Sequence, residues 1–566
     1  MSTSRTGARL LVDQLLIQGV DHIFCVPGES YLPVLDALAD HTDRIRLIVN
    51  RHESASCFMA EAYGKLTGQA GVAFVTRGPG ATNAAIGIHT AQQDSTPLVV
   101  FVGQVGSEAV GREAFQEIDY VQMFGGLAKW VASVDRVDRI PELVARAFQT
   151  ATSGRPGPVV LALPEDVLAA ASAAADARCH APLQPAPSDT QMSTLQRLLR
   201  KAKRPLVLVG GAGWTPAAID NLQRFAQANQ LPVACVFRRQ DLFDNRLENY
   251  VGDVGIAINP RLAARVRESD LLIALGCRLD EMSTSGYELI KAPVPRQALI
   301  HVHADCQELG RVYQAELGVC AGPAQIAARL AMMMPVESPP WTQETEAARA
   351  DYLTWQGRPA VYAGTTPALD LWEVMRILKR ALPVDTIVAN GAGNFATWAH
   401  RFWTYPGLRT QLAPVSGAMG YGVPAAISAK ITAPERSVLC LAGDGDFLMT
   451  GQELATAVAH GAGVLFVVFN NGMYGTIRMH QEREFPGRVS ATALTNPDFA
   501  RLAQAYGAFG ARAASTDEFG LALSSALSHL RHERSPALIE LLCDPEVISP
   551  NATLSAIRAT AQLGRS

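Results

Sequence analysis

The sequence predicts an α/β protein made of three doubly wound parallel-sheet domains. Three observations carry this prediction. Short apolar runs alternate with helical patterns along almost the whole chain, as in parallel sheets covered on both faces. Glycine-rich turns follow those runs instead of scattering. The length, 566 residues, suits roughly three or four domains of about 150 residues each. Composition agrees: 48% hydrophobic and 18% charged residues exclude a largely disordered chain.

The first block, 1–170, opens with an apolar run at His22–Val26 that ends in Pro27-Gly28. Another run at Ile45–Asn50 precedes a helical pattern over Glu53–Thr67. Gly71–Thr76 leads into the turn Arg77-Gly78-Pro79-Gly80 and a helix through Thr90; Pro97–Gly103 and Pro158–Leu163 complete the block. Alanine and proline dominate 168–188, which reads as a linker. The second block, 190–335, has strands at Pro205–Gly210, Pro232–Phe237, Leu271–Leu275 and Ala298–His303, with a glycine turn at 210–213 before a helix to Asn229. A prolyl break spans 332–366. The third block, 366–550, alternates again, with strands at Thr386–Ala389, Val438–Ala442, Val464–Phe469 and Ala537–Leu541.

Charge and targeting narrow the classes. Lys+Arg 49 against Asp+Glu 53 gives a net charge of −4, which argues against nucleic acid as a partner. No apolar run reaches the roughly 18 residues of a membrane span. The opening residues lack a signal-peptide core, and the nine cysteines include no CxxC pair, so a cytoplasmic protein with reduced thiols is expected. A dehydrogenase would show GxGxxG with an acid about 20 residues on, and an NTPase GxxxxGK[ST]; neither occurs.

The strongest chemical signal is in the third block. One apolar strand ends in Gly443-Asp444-Gly445, and the next ends in Asn470-Asn471-Gly472, with a helical stretch between. Asp444 and Asn471 therefore close adjacent parallel strands, at the edge where open α/β sheets bind ligands. A carboxylate with neutral oxygens suits Mg²⁺ shared with substrate phosphates, and the glycines allow close approach. Two ordinary turns are the alternative; the pairing across one crossover makes it the weaker one.

Those residues resemble the cofactor motif of the thiamine diphosphate-dependent acetolactate synthase and pyruvate decarboxylase superfamily, and the resemblance covers nearly the whole chain. It implies pyrimidine-binding, central and diphosphate-binding domains in that order. It implies thiamine diphosphate and Mg²⁺, with the metal held by Asp444, Asn471 and the Met473 carbonyl. Gly391-Ala392-Gly393-Asn394 matches the diphosphate loop, and Gly443 and Gly445, flanking Asp444, are further cofactor-binding candidates. Met419, in Ser416–Gly422, matches the residue that props the folded cofactor.

In the first block, Arg51-His52-Glu53 and Gly78–Asn83 are similar to the family signature. Glu53 then matches the glutamate against the aminopyrimidine ring, and Asn83, in the same signature, is a cofactor-binding candidate. On residues alone, Glu53 reads as a helix-start acid favoured by the dipole. Phe115-Gln116-Glu117 and Lys129 match positions near the acetolactate synthase donor pocket, so Gln116 is a candidate catalytic residue. Arg155 matches an arginine that meets FAD, and the turn at 210–213 suits an FAD phosphate.

The pattern also breaks. Glu29 replaces a glycine, at a point where pyruvate decarboxylases place an acid. Asp253-Val254 replaces a Met-His pair, Glu165 a lysine, and His480 an acceptor-pocket tryptophan. These departures leave FAD and the second substrate open. The expected activity is acetolactate synthase-like carboligation of a small 2-oxo acid with an acceptor carbonyl compound. The alternative is non-oxidative 2-oxo acid decarboxylation or 2-hydroxy ketone cleavage. The resemblance implies a homodimer or homotetramer with shared active sites, in which Glu29 and His480 shape the chemistry.

Overall fold

A computed structural model describes residues 4 to 564. The chain divides into two compact units: the residues up to Leu183 with the short segments Ile427–Thr432 and Ala455–His460, and the remainder.

The first unit is built on a six-stranded parallel sheet. In spatial order its strands are Arg46–Val49, His22–Cys25, Gly71–Val75, Leu98–Gln104, Pro158–Pro164 and Trp130–Ser133. Every residue of the interior strands Leu98–Gln104 and Pro158–Pro164 is buried, which is why they read as unbroken apolar runs. Helix Glu53–Thr67 starts where the His52 ring accepts the Ser54 amide at 3.2 Å and stops at Gly68, whose φ of 79° only glycine adopts readily.

The second unit carries two more six-stranded parallel sheets. One runs Tyr250–Asp253, Val233–Cys235, Pro205–Val209, Leu271–Leu275, Ala298–His303, Leu317–Cys320. The other runs Gln411–Leu412, Ile387–Asn390, Val438–Gly443, Leu465–Asn470, Ala537–Leu542, Phe509–Ala513. The α/β class with three parallel sheets is thus as expected. Counted along the chain within each block, the first and third sheets share the order 2-1-3-4-6-5, and the middle sheet has 3-2-1-4-5-6. Each order reverses beside its first strand, and the first and third reverse again at the far edge; such a reversal is where these sheets take ligands.

The segment 332–366 is more than a break. It holds helix Thr342–Trp355, anchored by the buried Trp341, whose indole donates to Asn229 O at 2.9 Å. Buried Arg349 ties this polar helix to the Asn245 and Tyr250 carbonyls at 2.9 and 3.0 Å. The glycine turn at 210–213 precedes a helix, as expected; Thr215 caps that helix, which runs Pro216–Ala228.

Candidate functional site

The third sheet positions the main constellation. Gly443 pairs with Phe469, and Asn470 with Leu542, so Asp444 and Asn471 leave neighbouring strands side by side. They line a cavity of about 260 Å³ together with Gly393, Asn394, Met419, Gly443, Gly445 and Met473. Asp444 is buried. Its Oδ1 accepts from the Gly445 amide at 2.9 Å; its Oδ2 accepts from the Gly472 amide at 2.9 Å and Asn496 Nδ2 at 2.8 Å. Burial still raises its carboxyl above the usual range. Asn471 Oδ1 accepts from the Met473 amide at 3.2 Å, which folds the turn so that both residues face the cavity. Among the described residues no three His, Cys, Asp or Glu side chains gather as a metal cluster; the available donors are one carboxylate, one amide and one carbonyl, all hard oxygens that fit Mg²⁺.

Two further residues escaped sequence reasoning. Asn496 bridges Asp444 and Asn470 Oδ1 (2.9 Å) from a loop; its only sequence signal is an Asn-Pro-Asp turn before helix Phe499–Ala505. Asp446 is buried, and its Oδ1 accepts from the amides of Ala392 at 3.0 Å and Gly420 at 2.9 Å. Among the described residues its Oδ2 has no hydrogen-bond partner, and burial pushes its pKa up to about 7. A methyl group at Gly391 would lie 2.0 Å from Asp446 Oδ1, so the loop tolerates only glycine there. The second acid of Gly443–Asp446 was the available signal.

In the first unit the structure brings Glu53 and Asn83 together: Asn83 Nδ2 donates to Glu53 Oε2 at 2.9 Å. Glu53 is buried, and a methyl on Gly80 would come within 3.2 Å of its Oε1. Glu29 starts a turn at the reversal point between His22–Cys25 and Gly71–Val75. Its side chain is 70% exposed and lies 3.6 Å from Arg77 Nη2, while Arg77 Nη1 pairs with Glu165. Gln116 has a φ of 65° and packs against Gly78.

Other expected residues sit elsewhere. Lys129 donates to Ser153 O at 2.9 Å and to Thr150 O, at the end of helix Ile140–Thr152. Arg155 Nε donates to Ser95 Oγ at 2.9 Å, and Nη2 to the Gln92 carbonyl. His480 lies on helix Gly475–Glu484, outside the cavity lining, with its Nδ1 2.6 Å from Arg483 Nη2.

Family models match each block in turn: thiamine pyrophosphate enzyme, N-terminal TPP binding domain, over 5–123; central domain, over 192–330; and C-terminal TPP binding domain, over 391–541. The chain belongs to the thiamine pyrophosphate enzyme family. It is 35% identical to the acetolactate synthase large subunit of Parasynechococcus marenigrum over 543 residues, 92% of this chain and 85% of that protein. It is 32% identical to the acetolactate synthase isozyme 3 large subunit of Escherichia coli, over 94% of this chain and 93% of that protein. It is 33% identical to a probable acetolactate synthase large subunit of Methanocaldococcus jannaschii, over 96% and 93%. As a thiamine pyrophosphate enzyme with these relatives, it is a thiamine diphosphate-dependent enzyme. No helix among the described residues is long and apolar enough to cross a membrane.

Proposed function

We propose that this chain is a cytoplasmic, Mg²⁺-dependent 2-oxo acid carboligase of the acetolactate synthase kind. The observation that carries the reading is the cavity in which Asp444, Asn471 and Met473 face the loop Gly393–Asn394 at the reversal point of the third sheet. Thiamine diphosphate, when bound, supplies an activated thiazolium carbon and a cationic ring that takes up the electrons freed as CO₂ leaves. Asp444, Asn471 and the Met473 carbonyl would hold the Mg²⁺. Glycines 391, 393, 443 and 445 would let the backbone approach the diphosphate, and Met419 would support the cofactor from the cavity wall. Glu53, oriented by Asn83, holds a proton at the aminopyrimidine ring. In this reading the enzyme is a homodimer or homotetramer, with Glu53 and Asp444 serving one cofactor from different chains.

The features assigned to FAD do not fit it. Arg155 is engaged with Ser95 and Gln92, and a methyl at Gly211 would lie 1.9 Å from Gly276 O, so that face of the turn is closed by protein backbone.

The second reading, aldehyde release or 2-hydroxy ketone cleavage, is favoured by Glu29, because an acid at the first-sheet reversal point disfavours a second anionic 2-oxo acid. Gln116 has a subordinate part in either reading, beside the donor; His480, outside the cavity lining and against Arg483, has none. Anaerobic CO₂ release from pyruvate, with and without thiamine diphosphate and Mg²⁺, tests the reading, with product analysis for acetolactate. Full turnover after exhaustive chelation and dialysis would overturn it.

A further inference from the structure

A second cleft, of about 180 Å³, opens in the first unit at the edge of its sheet opposite Glu29 and Glu53. It lies before the strands His22–Cys25 and Gly71–Val75 begin. In a doubly wound fold the helices end at this edge, and three do so here. Gly7–Ile17 ends at Gln18, Glu53–Thr67 at Gly68 and Ile140–Thr152 at Thr152, and Gln18, Gly68 and Thr152 all line the cleft. Each helix end carries roughly half a negative charge.

Asp21 adds a full charge. Its Oδ1 accepts from the Tyr63 hydroxyl at 2.6 Å and stands 2.8 Å from His22 Nδ1. Burial alone would raise this carboxyl, but those hydrogen bonds outweigh it and hold it below the usual range. No lysine or arginine is among the described residues that line the cleft.

The walls are aromatic and preformed. His22 faces Tyr63 at 5.6 Å, and Phe148 faces His180 at 6.1 Å. The linker supplies the remaining wall through Cys179, His180 and Pro182. It is pinned by paired bonds: Gln14 to both N–H and C=O of Ala177, and Gln18 to the Arg178 carbonyl and the His180 amide. The His180 ring is held between Gln18 Oε1 and Thr152 Oγ1 at 2.8 and 3.0 Å.

We propose that this cleft binds a small organic cation, an ammonium or guanidinium group on a compact apolar body. Negative helix ends and one carboxylate draw the charge, and the ring faces accept the body by cation–π and apolar contact. The volume equals roughly six water molecules at about 30 Å³ each, room for a single ring with a short amine arm.

Calorimetric titration of the full chain, loaded with thiamine diphosphate and Mg²⁺, tests this with benzylamine and its neutral isostere benzyl alcohol. Benzylamine should bind at least tenfold more tightly than the alcohol. Asp21→Asn, which keeps an acceptor for Tyr63, should abolish that preference. Gln69→Trp, on the exposed rim, should block the cleft, and it carries the comparison alone if Asp21→Asn does not fold. In crystals, 4-bromobenzylamine should give its anomalous peak between Tyr63 and His180. Equal affinity for amine and alcohol, binding unchanged in both variants, no detectable heat, or a peak elsewhere would each overturn the proposal.

Discussion

Replacing Gly391 by alanine tests the packing of the diphosphate loop directly. The new methyl would stand 2.0 Å from Asp446 Oδ1 and 2.4 Å from Oδ2. Carbon–oxygen contacts settle at about 3.3 Å or more, so something must move by roughly 1 Å. Asp446 cannot retreat cheaply, because its Oδ1 is held by the Ala392 and Gly420 amides. The loop must therefore shift, at a cost of about 1–3 kcal/mol for overpacking. A shift of about 1 Å in a positioning element is worth on the order of 100-fold in function. The assay is a thermal melt without cofactor, followed by titration of thiamine diphosphate against tryptophan fluorescence. Gly391→Ala should melt several degrees lower and bind the cofactor at least tenfold more weakly. Adding Asp446→Ala removes the obstructing carboxylate but strands the Ala392 and Gly420 amides, so the double variant should lose less than the sum of the two single losses, yet melt below wild type. A single variant with the wild-type melt and affinity would show that the loop and Asp446 are not packed as described.

Three other predictions follow from the same geometry. Glu53→Gln should keep thiamine diphosphate binding and lose turnover by at least 100-fold, and it should partly complement Asp444→Ala in mixed oligomers; turnover within a few-fold of wild type would reduce Glu53 to a helix-start residue. Glu29→Gly should shift products from pyruvate toward acetolactate, measured by chromatography, whereas an unchanged ratio would mean that Glu29 faces elsewhere. Burial lowers His400 to about 3 from 6.5, aided by nearby Arg238. Its unfolded form thus binds a proton first, and stability should fall as pH drops from about 6.5 toward 3, by up to about 1.4 kcal/mol per pH unit. His400→Gln should flatten that slope in denaturant titrations at pH 7 and pH 5; parallel slopes would sink the assignment.

How legible the fold was depended on position in the sheet. Leu271–Leu275, Ala298–His303 and helix Glu53–Thr67 carry the bounds their residues suggest. Five strands of the large sheets were not apparent: Trp130–Ser133, Tyr250–Asp253, Leu317–Cys320, Gln411–Leu412 and Phe509–Ala513. All five are edge strands. An edge strand has neighbours on one side only, so its apolar run is shorter and mixed, as in the half-exposed Trp130–Ser133. The same logic divides the candidate site. Asp444 and Asn471 follow buried central strands, and the strands announce them. Asn496 reaches Asp444 from a loop, and no periodicity marks it. Helix Thr342–Trp355 went unseen because buried Arg349, not an apolar stripe, fixes it.

The three strand orders have a consequence for redesign. Each sheet reverses beside its first strand, and the three crevices there are furnished differently. The third block's holds the cavity with Asp444, and the first block's holds Glu29 and Arg77. The middle block's is plugged: Gly211 abuts Gly276, and the buried Trp214 indole donates to Gly210 O at 2.8 Å. That block has the strand order of dinucleotide-binding sheets with its berth filled by one side chain. It is the spare berth of the molecule, the place to carve a new nucleotide-shaped pocket while leaving Glu53 and Asp444 untouched, and Trp214 is the residue to cut first.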